Sequence, residues 1–156
     1  MDIKFVLNGE SVTVKAEPMQ SLLYTLRHQL GAVSAKDGCN EGECGACSIL
    51  MNDQLVNACL IPISQVAGAK LMTLEGLKKD PKGMLVIESL LKAKGVQCGF
   101  CTPGMVLALY ALLVENPHPS ETEIRTAISG NLCRCTGYGM IVDAARIAAE
   151  KGAGLW

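Results

Sequence analysis

The 156-residue sequence predicts an α+β fold in which a small mixed sheet, residues 1–75, precedes an all-helical half, residues 76–156. Three observations carry that reading. Period-two apolar alternation broken by turn dipeptides is confined to the first half. Helix caps and 3.6-residue spacing dominate the second. Eight cysteines divide into two groups of four, one group per half. At roughly 100–200 residues per domain the length favours one domain, or two small ones if each is braced from within.

The opening "IKFVLNGESVTV" sets Ile3, Phe5 and Leu7, then Val12 and Val14, on either side of Asn8-Gly9, a pair suited to the left-handed backbone of a tight turn. This is a β-hairpin. In "SLLYTLRHQLG" Ser21 is a cap, Leu22, Leu23, Leu26 and Leu30 recur at helical spacing, and Gly31 stops the helix. Residues 48–60, "SILMNDQLVNACL", read as a second strand pair turning at Asn52-Asp53, and "GAKLMTLEGLKKDPKGM" reads as a connector. Four helices follow. The first, 83–95, carries Leu85, Glu88, Ser89 and Lys92 and ends at Gly95; the second, 102–115, opens on Thr102 as N-cap with Pro103 at the first helical position. The third runs from a capping box of Ser120 and Glu123 to Gly130, and the last, 138–151, presents Ile141, Val142, Ala145 and Ala149 on one side. "CTPGM" at 101–105 and "CTGYGM" at 135–140 echo each other at two helix starts. The echo describes two helix pairs about an approximate two-fold axis, with four thiols meeting at two helix N-termini.

Fourteen Lys plus Arg against fifteen Asp plus Glu leave a net charge of −1, which offers no electrostatic footprint for nucleic acid. No apolar run approaches the roughly 20 residues that span a bilayer. The opening "MDIKFVLNGE" lacks the basic start and apolar run of a secretory signal. The expected setting is therefore the reducing cytoplasm, where clustered thiols mean metal or redox chemistry more often than disulfides. A hydrophobic fraction of 49% with 4% aromatics points to aliphatic cores, with Met84, Met105 and Met140 on apolar helix faces. His28 and His118 have no other good ligand nearby and read as surface or packing residues.

Cys39, Cys44, Cys47 and Cys59 form a C-x4-C-x2-C run with one distant cysteine, the plant-type signature of a 2Fe–2S cluster. Gly38, Gly42 and Gly45 let such a loop turn sharply and aim N–H groups at sulfur. A four-thiolate zinc site prefers C-x2-C knuckles instead. Cys98, Cys101, Cys133 and Cys135 form a C-x2-C and a C-x-C, and those short spacings alone also occur in zinc sites. The neighbouring helix starts favour an anionic cluster, because helix N-termini offer unpaired N–H groups and a positive dipole end. A cluster whose irons are saturated by thiolate has no open position for substrate, so the chain would carry electrons one at a time. No glycine-rich dinucleotide loop is present.

"GCNEGECGACSI", "QCGFCTPGM" and "GNLCRCTGYGMI" together resemble the small iron–sulfur subunit of the molybdenum hydroxylases, the xanthine oxidase and carbon monoxide dehydrogenase family. The resemblance spans essentially the whole chain, departing at Asn40, where many relatives have glycine. It implies a plant-ferredoxin-like β-grasp domain holding an outer 2Fe–2S cluster on Cys39, Cys44, Cys47 and Cys59. It implies a four-helix bundle holding an inner one on Cys98, Cys101, Cys133 and Cys135. It further implies that Gln97 contacts the pterin and that Cys135 is the ligand nearest to it. Molybdopterin and FAD would reside on a large subunit and a flavin subunit, in a dimer of heteromers. Electrons would pass from molybdenum through the inner and outer clusters to the flavin during hydroxylation of a substrate carbon, with a lean to an N-heterocycle such as nicotinate or a purine. The alternative is a free-standing two-cluster ferredoxin-like carrier, which usually steers to partners through a stronger net charge than −1.

Overall fold

A computed structural model describes residues 1–156. The hairpin forms as expected: β1 (Asp2–Leu7) and β2 (Glu10–Lys15) pair antiparallel across Asn8 and Gly9, whose φ angles are 53° and 89°. The second pair, β3 (Ser48–Met51) and β4 (Gln54–Asn57), turns the same way at Asn52 and Asp53, with φ of 49° and 67°. Two consecutive left-handed residues match the right-handed twist of the flanking strands, and Asn and Asp tolerate that conformation better than other non-glycine residues. The strands stop at Asn57; Ala58–Leu60 is a 3-10 turn, so Cys59 lies just past the pair rather than in it.

The expected connector is largely ordered. Lys70–Met72 forms β5, which pairs parallel to β1 and antiparallel to β3 and so joins the two hairpins into one sheet of order β2-β1-β5-β3-β4. Helix α1 (Leu22–His28) is capped by Ser21, whose hydroxyl accepts the Tyr24 N–H at 3.2 Å, and it buries Leu22, Leu23 and Leu26. With Ile3, Phe5, Ile49, Ile63 and Leu71 these side chains make the first core. Each fully buried aliphatic or Phe side chain there stabilises the fold by about 1.5–3 kcal/mol relative to exposure.

The one-turn helix α2 (Leu74–Leu77) leads to α3 (Pro81–Lys92), which starts two residues earlier than its apolar pattern suggests because Asp80 caps it through the N–H groups of Lys82 and Gly83. Then come α4 (Thr102–Glu115), α5 (Glu121–Ala127) and α6 (Gly139–Lys151). The capping box of Ser120 and Glu123 opens α5 as read from sequence. At α4 the cap is Cys101, with Thr102 the first helical residue. Val86, Leu90, Met105, Leu109, Leu113, Ile124 and Ile141 build the second core, and Leu50 of β3 belongs to it. Helix α4 is buried continuously from Pro103 to Leu109 because it touches β3 as well as α3, α5 and α6. The chain has the α+β architecture that its sequence predicts, and the loop carrying Cys44 meets the loop before α6 where the Leu132 N–H donates to the Cys44 carbonyl.

Candidate metal centres

The loop between α1 and β3 carries Cys39, Cys44 and Cys47 and is shaped by main-chain donors. The N–H groups of Glu41, Glu43 and Cys44 each donate to the Cys39 Sγ at 3.4 Å. They hold that thiol down at about 7. Burial pushes the Cys47 thiol, fully inside the fold, up to about 12. Room beside the sulfur exists only because Gly38 has no side chain: a Cβ there would lie 2.8 Å from the Cys44 Sγ. Asn57 at the end of β4 secures the loop by donating its amide to the Gly42 carbonyl at 3.0 Å.

The second set lies on two loops, Gln97–Cys101 before α4 and Asn131–Tyr138 before α6. Burial drives the Cys101 thiol up to about 12. Cys133 is held below the usual thiol range: burial opposes this, but the Thr136 hydroxyl, donating to its Sγ at 3.0 Å, outweighs it together with main-chain donors. The Cys135 thiol is raised, chiefly by the Cys98 side chain. Cys98, Cys135 and Gln97 are exposed, whereas Cys101 and Cys133 are half-buried. The two loops differ from the expectation of thiols at two helix starts. Cys101 caps α4 itself, but Cys135 is separated from α6 by a three-residue link, Thr136 to Tyr138, that ends with Tyr138 at φ 70°.

All eight cysteines are free, which removes the disulfide reading. No three Cys, His, Asp or Glu side chains converge as on a single ion. The thiols instead interact two by two: Cys39 with Cys44 and Cys47 with Cys59, then Cys98 with Cys135 and Cys101 with Cys133. Charge interactions join the pairs within each quartet, between Cys44 and Cys47, Cys98 and Cys101, and Cys133 and Cys135. Two thiol pairs side by side fit a two-iron cluster, one pair per iron, better than a tetrahedral zinc site, where all four sulfurs meet at one point. Donors aimed at sulfur fit an anionic cluster as well.

The two centres are stitched together by residues that spacing did not reveal. The Leu132 N–H donates to the Cys44 carbonyl at 2.9 Å, tying the residue before Cys133 to a residue of the first quartet. Asn131, only 4% exposed, donates its amide to the Gly45 carbonyl and the Ser48 hydroxyl, both at 3.1 Å. A Cβ on Gly45 would lie 2.2 Å from the Gly130 carbonyl, and its φ of 69° is itself glycine territory. Asn131, Thr136 and Tyr138 were thus missed as site residues; the only hint was the repeated Cys-Thr pair.

Two family models match the chain, a 2Fe-2S iron-sulfur cluster binding domain over residues 8–93 and a 2Fe-2S binding domain over residues 73–146. The chain is 47% identical to the nicotinate dehydrogenase small FeS subunit of Eubacterium barkeri, covering 96% of this chain and 95% of that one. It is 43% identical to the xanthine dehydrogenase/oxidase of Mus musculus over 97% of its own length, but spans only 12% of that longer protein. A crystal structure of quinoline 2-oxidoreductase from Pseudomonas putida 86 superposes with a TM-score of 0.92 at 38% identity, covering 99% of this chain and 96% of the matched one.

Proposed function

Because the chain belongs to the iron–sulfur subunits of the molybdenum hydroxylases, we propose that Cys39, Cys44, Cys47 and Cys59 hold its outer 2Fe–2S cluster and Cys98, Cys101, Cys133 and Cys135 its inner one. The observation that carries this is the set of donors turned onto sulfur in each quartet, three main-chain N–H groups on Cys39 and the Thr136 hydroxyl on Cys133. When bound, the clusters supply one-electron steps between molybdopterin and FAD, both carried on partner subunits. The residues of this chain do the rest. Main-chain N–H groups of Glu41, Glu43 and Cys44 stabilise negative charge on Cys39. Asn131 and Leu132 fix the spacing between the loops. Bond chemistry on the substrate is assigned to the partner subunits.

The exposed end of the inner quartet, Cys98 and Cys135 with Gln97 beside them, is where the molybdopterin subunit docks, Gln97 and Cys135 facing the pterin. Leu60, Phe100 and Leu132, each next to a ligand cysteine, stay about half exposed, as expected of surface that a partner covers. We assign residues 1–75 and 76–156 to separate modules around the two cores, within a dimer of heteromers. Free thiols throughout support a cytoplasmic setting, and no helix is long and apolar enough to cross a membrane. The substrate class is an N-heterocycle, nicotinate first: nicotinate and quinoline, named for two relatives, both belong to that class.

Native purification tests the whole reading. The expected result is a coloured heteromeric complex with four irons and four sulfides per copy of this chain, two reducible paramagnetic centres, and turnover of nicotinate. A colourless zinc-loaded chain overturns the redox assignment; a loaded chain that purifies alone favours the free-standing carrier.

A further inference from the structure

Within the loop that precedes α6, three hydrogen bonds close a circuit over six residues. The Cys133 N–H donates to the Tyr138 phenol oxygen at 2.9 Å. The Tyr138 N–H donates to the Thr136 hydroxyl oxygen at 3.3 Å. The Thr136 hydroxyl donates to the Cys133 Sγ at 3.0 Å. A hydroxyl has a single proton, and with an N–H pointing into its oxygen that proton is directed away, at the sulfur.

The circuit is built at a cost. Tyr138 sits at φ 70° between two glycines, Gly137 and Gly139, where a third glycine would be easier on the backbone. What tyrosine adds is the phenol, which occupies the Cys133 N–H and locks the loop around Thr136. The Cys39 sulfur, by contrast, is met by three main-chain N–H groups, each at 3.4 Å. Thr136 is the one non-cysteine side chain that donates to a cysteine sulfur, and at 3.0 Å it comes closer than any of those three.

We propose that Thr136 is a positioning residue that tunes the inner centre, its hydroxyl serving as a dedicated hydrogen-bond donor to the ligand sulfur of Cys133. The inference rests on the assignment of Cys133 as a cluster ligand. Adding an electron makes a four-thiolate cluster more negative, and a donor on a ligand sulfur stabilises the more negative state. The hydroxyl therefore raises the reduction potential of the inner centre and draws electrons onto it from the molybdenum side.

The test is a redox titration of the purified complex, followed by the separate paramagnetic signals of its two reduced clusters. Thr136→Val keeps the shape and deletes the donor. At the poise where the wild-type inner centre is half reduced, its reduced-to-oxidised ratio is expected to fall about tenfold, equivalent to about 59 mV for one electron. The outer centre, read in the same samples, should not move, and Thr136→Ser should titrate like the wild type. A fully loaded Thr136→Val with an unmoved inner potential overturns the proposal. If Thr136→Val fails to load, Thr136→Ala against Thr136→Ser carries the same contrast. Loss of the cluster in Thr136→Ser, or in both donor-less variants while Thr136→Ser stays normal, makes the residue a structural support and overturns tuning. A wild-type complex with no second reducible centre overturns the ligand assignment itself.

Discussion

The sulfur of Cys39 is surrounded by three main-chain N–H groups, whereas the closest donor to that of Cys133 is a threonine hydroxyl, and the two loops are built to different rules. In the first loop the donors follow from backbone conformation, which glycines permit and few single side-chain changes can alter. In the second, side chains supply the donor and brace it. The first also turns inward, with Cys47 buried, while the second leaves Cys98 and Cys135 at the surface. A centre framed by backbone keeps its properties as surface residues change; one framed by side chains is adjustable one residue at a time. The Thr136 titration probes the adjustable side of that contrast.

The sharpest break between the regions is expected from Cys98→Ser. It should abolish the inner centre's paramagnetic signal, leave the outer one, and stop electron flow from substrate to acceptor. Disappearance of both signals would show that the loops do not load independently. Next in size is Gly45→Ala. The new methyl meets the Gly130 carbonyl and the residue is forced into a left-handed conformation, together costing about 3 kcal/mol. For a chain of this size that is a fall in melting temperature of about 6–12 °C, read by calorimetry.

Asn131→Ala is expected to cost less, about 2 kcal/mol, because it strips one donor from the buried Gly45 carbonyl while the Ser48 hydroxyl, 2.7 Å away, still serves it. Since Gly45 and Asn131 share one contact network, the double variant should lose less than the sum, which a double-mutant cycle would measure. Gln97→Ala should leave stability and cluster content unchanged, as befits an exposed side chain. Its expected effect is confined to the rate of electron arrival from molybdenum in rapid-mixing experiments. An unaltered rate removes Gln97 from the pterin contact.

The elements that could be read from sequence are those with local causes. Asn8-Gly9 and Asn52-Asp53 make turns through their own backbone preferences, and the Ser120 and Glu123 box specifies a helix start within four residues. The cysteine quartets were likewise visible as spacing. What escaped depends on distant partners. β5 is three residues long and exists because β1 and β3 flank it, so no periodicity announces it. Asn131 matters through Gly45 and Ser48, more than eighty residues away in sequence. Thr136 lies one residue beyond the proposed ligand Cys135, yet its value comes from the sulfur of another cysteine and from a tyrosine in a backbone conformation the sequence does not advertise.

Side chains are the usual cushions between packed elements, and cushions change thickness as sequences drift. Where Gly104 of α4 meets the first cysteine loop there is no cushion: a methyl on Gly104 would lie 2.4 Å from the Gly45 carbonyl. Peptide rests on peptide there, like two gauge blocks wrung together. The gap an electron must cross inside this chain is accordingly machined into its backbone, leaving the outer surface at liberty to be recut for whichever large subunits it serves.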